Sequence, residues 1–272
     1  MGIQDPSRRA YPRRDERSLN ESSYFRSRII QPVTMTELSG QLRLHDKFCI
    51  SAQRLGSEGV PVLVVDNFLS KPEILIDFAA EHCAFEGVTD TFYPGTRAVA
   101  PGIYCFAIRA FLGQAIGETF GLSASEVMGE LSHFSLVTTP PDKLSVVQRM
   151  PHYDNTNPKQ LAVLHYLCGA EFGGTSFYRH RGTGYEYVDE ARNAPYQRAL
   201  NGELANQGPP PRRYICQDDN LFERTGSCAA AFNRVIVYRS INLHSADIRP
   251  GFNFRGGPRT GRLTVNTFFY YR

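Results

Sequence analysis

The residues with the clearest capacity for chemistry lie in Pro151-His152-Tyr153-Asp154 and, ninety positions after Asp154, at His244. Residues 144–152 read as a β-rich run, so the first segment is expected to end a strand. Side chains two apart on a strand share a face, which would offer an imidazole and a carboxylate to one metal ion. The spacing alone means little, because seven His and twelve Asp in 272 residues give about 0.3 such pairs by chance. What adds weight is His244, just beyond the apolar run Arg234 to Arg239, at a second expected strand end. Two imidazoles and one carboxylate occupy one face of an octahedral ion and leave positions open for exogenous ligands, the hallmark of a reactive rather than a structural metal.

A third element completes the constellation. In Gly261-Arg262-Leu263-Thr264-Val265-Asn266-Thr267, period two puts Arg262, Thr264 and Asn266 on one strand face and Leu263, Val265 and Thr267 on the other. An Arg and a hydroxyl two residues apart can bind one carboxylate together, the guanidinium doing so bidentately. Arg255 and Arg259 compete for that role, but they lie among Gly and Pro, where a fixed geometry is harder to hold.

Taken in order, His152-x-Asp154, Leu164-His165-Tyr166-Leu167, Gly173-Gly174-Thr175-x-Phe177, His244 and Arg262-x-Thr264 resemble the Fe(II)/2-oxoglutarate-dependent dioxygenases, in their prolyl-hydroxylase-like branch. The stretch from His152 to Glu186 looks like an uncharacterised domain family within that superfamily. The resemblance implies that His152, Asp154 and His244 bind Fe(II), and that Arg262, with Thr264 and the Tyr166 hydroxyl, holds the far carboxylate of 2-oxoglutarate. It implies a tight hairpin at Gly173 and Gly174. With O2 as cosubstrate, the expected reaction hydroxylates a C–H bond and releases succinate and CO2. Asp154 fits hydroxylation, since related halogenases carry a small residue there. Two positions depart from the pattern: the usual acid after the Gly pair is missing, and Cys168 stands where an Asn is common. The substrate is left open among an amino acid, a peptide or protein side chain and a small metabolite. The alternative is a non-catalytic metal- or ligand-binding jelly-roll protein. His133, His165 and His180 read as structural, His165 on the strand face opposite Tyr166.

These residues need rigid strands to bring them together. Val60 to Val65 reads as a buried strand, and Ser70 with Glu73 forms a capping box opening a helix whose apolar face includes Ile74, Leu75, Phe78 and Ala79. A second helix is expected after Pro101, closing at Gly121. From Leu131 the pattern changes to β-rich runs at 131–138, 144–152, 161–168, 174–180, 232–239 and 262–270. The implied fold is mainly β with flanking helices (α+β), around a double-stranded β-helix (jelly-roll or cupin-like) core. Residues 1–58 are expected to be a partly flexible N-terminal extension, and 59–272 the dioxygenase-like domain. Its rhythm is interrupted at 182–226, either a lid or a solvated decoration.

Composition narrows the classes further. Apolar residues make up 42% of the chain and charged residues 21%, enough to build a core and too apolar for bulk disorder. Seven Arg against four acids in the first 31 residues carry the whole net charge of +3. The catalytic body is therefore neutral, which argues against a nucleic-acid partner. Residues 239–272 hold six Arg against Asp247 alone, a local excess suited to a small anion. No run of about 18 apolar residues exists to cross a membrane. Six scattered cysteines without a C-x-x-C pair suggest reduced thiols and a cytoplasmic setting.

Overall fold

The computed structural model of the chain describes residues 40–87 and 92–272; the expected extension before residue 40 lies outside the described residues. An eight-stranded antiparallel sheet runs in the order β1-β2-β9-β6-β11-β5-β4-β3, and a three-stranded sheet in the order β10-β7-β8. The large sheet comprises β1 (Cys49–Leu55), β2 (Val60–Asp66), β3 (Glu86–Gly87), β4 (Gly95–Val99), β5 (Val127–Val137), β6 (Gln160–Tyr166), β9 (Arg234–Arg239) and β11 (Leu263–Tyr271). The small sheet comprises β7 (Thr175–His180), β8 (Phe222–Cys228) and β10 (His244–Ala246). With the helices α1 (Glu73–His82), α2 (Gly102–Phe120) and α3 (Glu190–Gln207) among the described residues, this is the expected mainly β, jelly-roll-like architecture.

Alternation along the central strands divides the molecule into layers. Leu161 and Val163 of β6, Val235 and Val237 of β9, and Leu263, Val265 and Phe269 of β11 pack with α1 and α2 in one core. Their neighbours Ala162, Leu164, Tyr166, Ile236 and Tyr238 face the small sheet and meet Phe177 and Cys228. Burying each large apolar side chain is worth about 1.5–3 kcal/mol, so register is strongly fixed. A one-residue slip of β11 would turn Arg262 toward the helices and Leu263 toward the site.

Both helices on the large sheet follow the sequence, with one difference. Gly121 caps α2 at φ 68° and its N–H donates to the Gly117 carbonyl, the left-handed turn that Gly makes without a Cβ penalty. On α1 the expected capping box does not form: the N-cap is Pro72, with no side-chain cap. The Ser70 N–H is taken instead by the Arg43 carbonyl.

Three boundaries move. Cys49–Leu55, assigned to the extension, is β1, paired along its length with β2. Residues 144–152, expected as a strand, contain a 3-10 turn at Val146–Arg149. The interruption at 182–226 holds α3 and the first five of the seven residues of β8, whose strand pairs with β7. All six cysteines are free thiols. No helix among the described residues is long and apolar enough to cross a membrane.

Candidate metal centre

His152 reaches the site without belonging to a regular strand. It forms an isolated antiparallel bridge with His244, each N–H donating to the other's carbonyl at 2.9 Å. Asp154 is held two residues on, its N–H donating to the Ser240 carbonyl at 2.7 Å. His244 opens β10 and pairs with Phe177 of β7. The alternation expected of a strand therefore survives, imposed by pairing with the segment before β10.

The three side chains converge. One ligand atom from each of His152, Asp154 and His244 lies within 4.8 Å of the others. His152 Nε2 is 3.7 Å from Asp154 Oδ1, and His244 Nε2 is 3.7 Å from Asp154 Oδ2. Those separations are too long for hydrogen bonds, yet close to what a shared ion needs: donors about 2.1 Å from one octahedral ion at right angles lie about 3 Å apart. The His244 ring is oriented for the task. Its Nδ1 lies 2.9 Å from the Asn242 carbonyl, and only a protonated nitrogen can donate there. The Nε2 lone pair is thus turned toward Asp154, the arrangement typical of metal-ligating His. Phe92 stacks on the His152 ring, centroids 5.1 Å apart and planes 3° from parallel. Tyr238 lies against His244 at 4.8 Å, its phenol pushed well up by burial and by the Asp154 charge.

Arg262 lines the same cavity. It is 2% exposed, and its guanidinium donates to the Gly173 carbonyl at 3.2 Å from Nε and to the Gly174 carbonyl at 2.9 Å from Nη2. Its face lies 5.6 Å from the centre of the Tyr166 ring. Among the described residues no carboxylate pairs with it, although a buried cation without a counter-charge is costly. The glycine pair explains how two carbonyls come so near. A Cβ at Gly173 would overlap the Asp247 carbonyl oxygen, and one at Gly174 the Cys228 carbonyl oxygen, so only glycine lets β7 start between its neighbours. Gly173 also has φ 78°.

Tyr166 is fully buried and its hydroxyl is 2.7 Å from Thr175 Oγ1; burial pushes its phenol up. Thr175 lines the cavity, whereas Tyr166 and Thr264 do not. Thr264 shares the inner face with Arg262, and its hydroxyl donates to Asn266 Oδ1 at 2.8 Å. The competing arginines are elsewhere: Arg259 pairs with Asp77 and Glu81 on α1, and Arg255 is exposed. Two of the three histidines read as structural have hydrogen-bond partners on both ring nitrogens. His165 lies between the Tyr104 hydroxyl and Asn233 Oδ1, and His180 between Thr183 and Glu203. Cys168 is buried, its thiol pushed up to about 11 by that burial.

Sequence reasoning missed part of the wall. Phe92, Tyr93 and Arg97 line the cavity, with the Arg97 guanidinium 4.6 Å from the Tyr93 ring centre. Thr175 was visible only as part of the glycine motif. The cavity measures about 70 Å³, room for on the order of five water-sized groups, with open space beyond its mouth.

A model of a family of unknown function, DUF6445, matches residues 46–269. The chain belongs to DUF6445. That match begins just before β1, so the matched span takes in this strand as well as the residues from 59 onward. Among curated proteins none matches this DUF6445 chain. Its similar solved structures include HygX from Streptomyces hygroscopicus with nickel and 2-oxoglutarate bound, at 11% identity and TM-score 0.42, covering 78% of this chain and 84% of that one. An N-substituted L-amino acid dioxygenase from Burkholderia ambifaria AMMD is 11% identical with TM-score 0.40, covering 83% and 95%. AviO1 from Streptomyces viridochromogenes Tue57 is 11% identical with TM-score 0.37, covering 88% and 96%.

Proposed function

We propose that this protein is an Fe(II)- and 2-oxoglutarate-dependent oxygenase that hydroxylates a C–H bond of a small molecule or of an amino-acid or peptide side chain. The observation that carries the reading is the meeting, in one cavity, of the His152, Asp154 and His244 donors with a buried Arg262 that no carboxylate among the described residues neutralises. A dicarboxylate that reaches both supplies the missing negative charge and fills positions that three protein ligands leave open. The donor set suits the ion: two neutral imidazoles and one carboxylate are ligands for non-haem Fe(II), with positions left for cosubstrate and O2. When bound, the iron and 2-oxoglutarate supply C–H oxidation coupled to decarboxylation, with succinate and CO2 as products.

The chain's own residues bind, orient and shield. Asn242 keeps the His244 proton on Nδ1, so that Nε2 remains a donor. Arg262, itself fixed by the Gly173 and Gly174 carbonyls, receives the far carboxylate. Thr175, whose hydroxyl meets that of Tyr166, stands beside it as a second polar contact. Thr264 then acts from the same face through Asn266. Phe92 and Tyr238 cover the imidazole faces and keep water from the donors. The modest cavity favours a small substrate or an extended side chain over a folded surface.

The test is product formation from 2-oxoglutarate in air. Purified protein with Fe(II) and ascorbate should release succinate, and His152→Ala should abolish it. Metal binding without succinate, across a panel of amino acids and small metabolites, would instead make this a binding protein on the same scaffold.

A further inference from the structure

Between the two ligands of the H-x-D segment stands Tyr153, and alternation turns it away from the metal site. Its hydroxyl donates to Asn193 Oδ1 at 2.8 Å and accepts from Gln197 Nε2 at 2.8 Å. Both partners lie on α3, four residues apart and therefore on one helical face. The Tyr153 ring also meets Tyr196 of α3 edge-on, centroids 5.9 Å apart. Just beyond Asp154, the Thr156 hydroxyl donates to Glu190 in the first turn of α3 at 2.8 Å. Residues 152–156 are thus gripped from two sides, by the segment before β10 through backbone hydrogen bonds and by α3 through side chains. No α3 residue lines the cavity.

We infer that α3 is a positioning element for the metal centre: Asn193 and Gln197 hold Tyr153, and Tyr153 sets the separation of His152 and Asp154. The interruption at 182–226 is then neither a lid nor a decoration, because its helix supports the ligands from behind. The anchor is built for one orientation. Tyr153 gives a proton to one amide and takes one from the other, so either rotation of the phenol or loss of one partner breaks the pair. Tyr196 is fully buried and also contacts the ring of His180, which is tied to Glu203 further along α3. The helix is therefore fixed to the β7 end of the small sheet before it reaches Tyr153. The inference rests on the reading of His152, Asp154 and His244 as metal ligands.

The experiment uses the full chain and Co(II) as the probe, with affinity read by calorimetry and the folded state by thermal unfolding without metal. Wild type should bind one Co(II), and His152→Ala should not; if that pair fails, the metal reading itself falls and α3 is not at issue. Given binding, Tyr153→Phe should weaken Co(II) about tenfold, the lower end of what outer-sphere partners contribute. Asn193→Leu combined with Gln197→Leu should weaken it similarly, and Tyr153→Phe added to that double variant should cost little more. Asn193→Asp keeps the acceptor and should restore most of the affinity lost in Asn193→Leu. Glu203→Gln, which loosens α3 only at His180, should lower the unfolding temperature and leave Co(II) affinity within about twofold. Unchanged affinity in Tyr153→Phe and in the double variant would overturn the inference. Loss in Glu203→Gln equal to that in Tyr153→Phe would do the same, by making the effect one of general stability.

Discussion

Replacing Arg262 by Met removes the guanidinium and keeps most of its stem, so the change isolates the charge. Two consequences follow from the geometry. The Gly173 and Gly174 carbonyls lose donors at 3.2 and 2.9 Å, each unmade buried hydrogen bond costing about 1–3 kcal/mol of stability. Any carboxylate bound at that end of the cavity loses its counter-charge, which for a buried hydrogen-bonded pair is worth about 2–5 kcal/mol. At 1.4 kcal/mol per factor of ten, that is about thirtyfold or more in 2-oxoglutarate affinity. The assay is calorimetric titration of 2-oxoglutarate into Ni(II)-loaded protein, with thermal unfolding to separate the stability cost. Arg262→Lys, which retains charge without the fork, should fall between Met and wild type. Unchanged 2-oxoglutarate affinity in a folded Arg262→Met protein would refute the reasoning. It would move the carboxylate to Arg97, the other guanidinium in the cavity wall, since Arg259 is engaged at Asp77 and Glu81.

Other expected outcomes follow from the same contacts. Asp154→Ala or His244→Ala should each reduce Ni(II) affinity at least a hundredfold while the metal-free protein still unfolds cooperatively; retained binding in both variants would dissolve the metal centre. Gly174→Ala should destabilise the fold by about 3 kcal/mol or more, read by chemical denaturation, because its Cβ overlaps backbone that cannot move aside; a wild-type midpoint would show that β7 relaxes freely. His165, fully buried, has its pKa lowered by burial from 6.5 to about 4, so the unfolded chain takes up a proton before the folded one does. Stability should be complete above about pH 6.5 and fall by about 3 kcal/mol as the pH drops toward 4. In the His165→Gln variant that part of the slope should disappear, and an unaltered slope would assign it to other groups such as His133.

The central strands were legible because burial on both faces leaves strong apolar runs. Alternation in β11 separates Arg262, Thr264 and Asn266 on one face from Leu263 and Val265 on the other, and Leu263 and Val265 do enter the core beneath the helices. What escaped is governed by non-local pairing. β1 has the sequence CISAQRL and is almost wholly exposed, so no hydrophobic pattern marks it; its order comes from β2. The Ser70 and Glu73 motif was locally sound, but the Arg43 carbonyl captured the Ser70 N–H and the helix began at Glu73 behind Pro72. Valines 146 and 147 suggested a strand, whereas Gln148 accepts from the Ser145 N–H and closes a 3-10 turn. The H-x-D spacing pointed to a shared face for a reason that proved different, a bridge to His244 instead of a regular strand. α3 contains Pro195 and buries only Tyr196 and Leu200, too faint a period to announce a helix. Phe92, Tyr93 and Arg97 carry no motif at all and enter the cavity only because β4 joins the sheet beside β5.

The account stands on one ion and one dicarboxylate sharing a cavity, and anaerobic optical titration tests that most directly. Fe(II) is added to the metal-free protein, followed by 2-oxoglutarate, with the visible spectrum recorded at each step. The expected result is a weak, broad visible band that needs both additions, saturates at one equivalent of iron, is lost in Asp154→Ala and requires much more 2-oxoglutarate in Arg262→Met. A spectrum unchanged by 2-oxoglutarate in iron-loaded wild-type protein would contradict it.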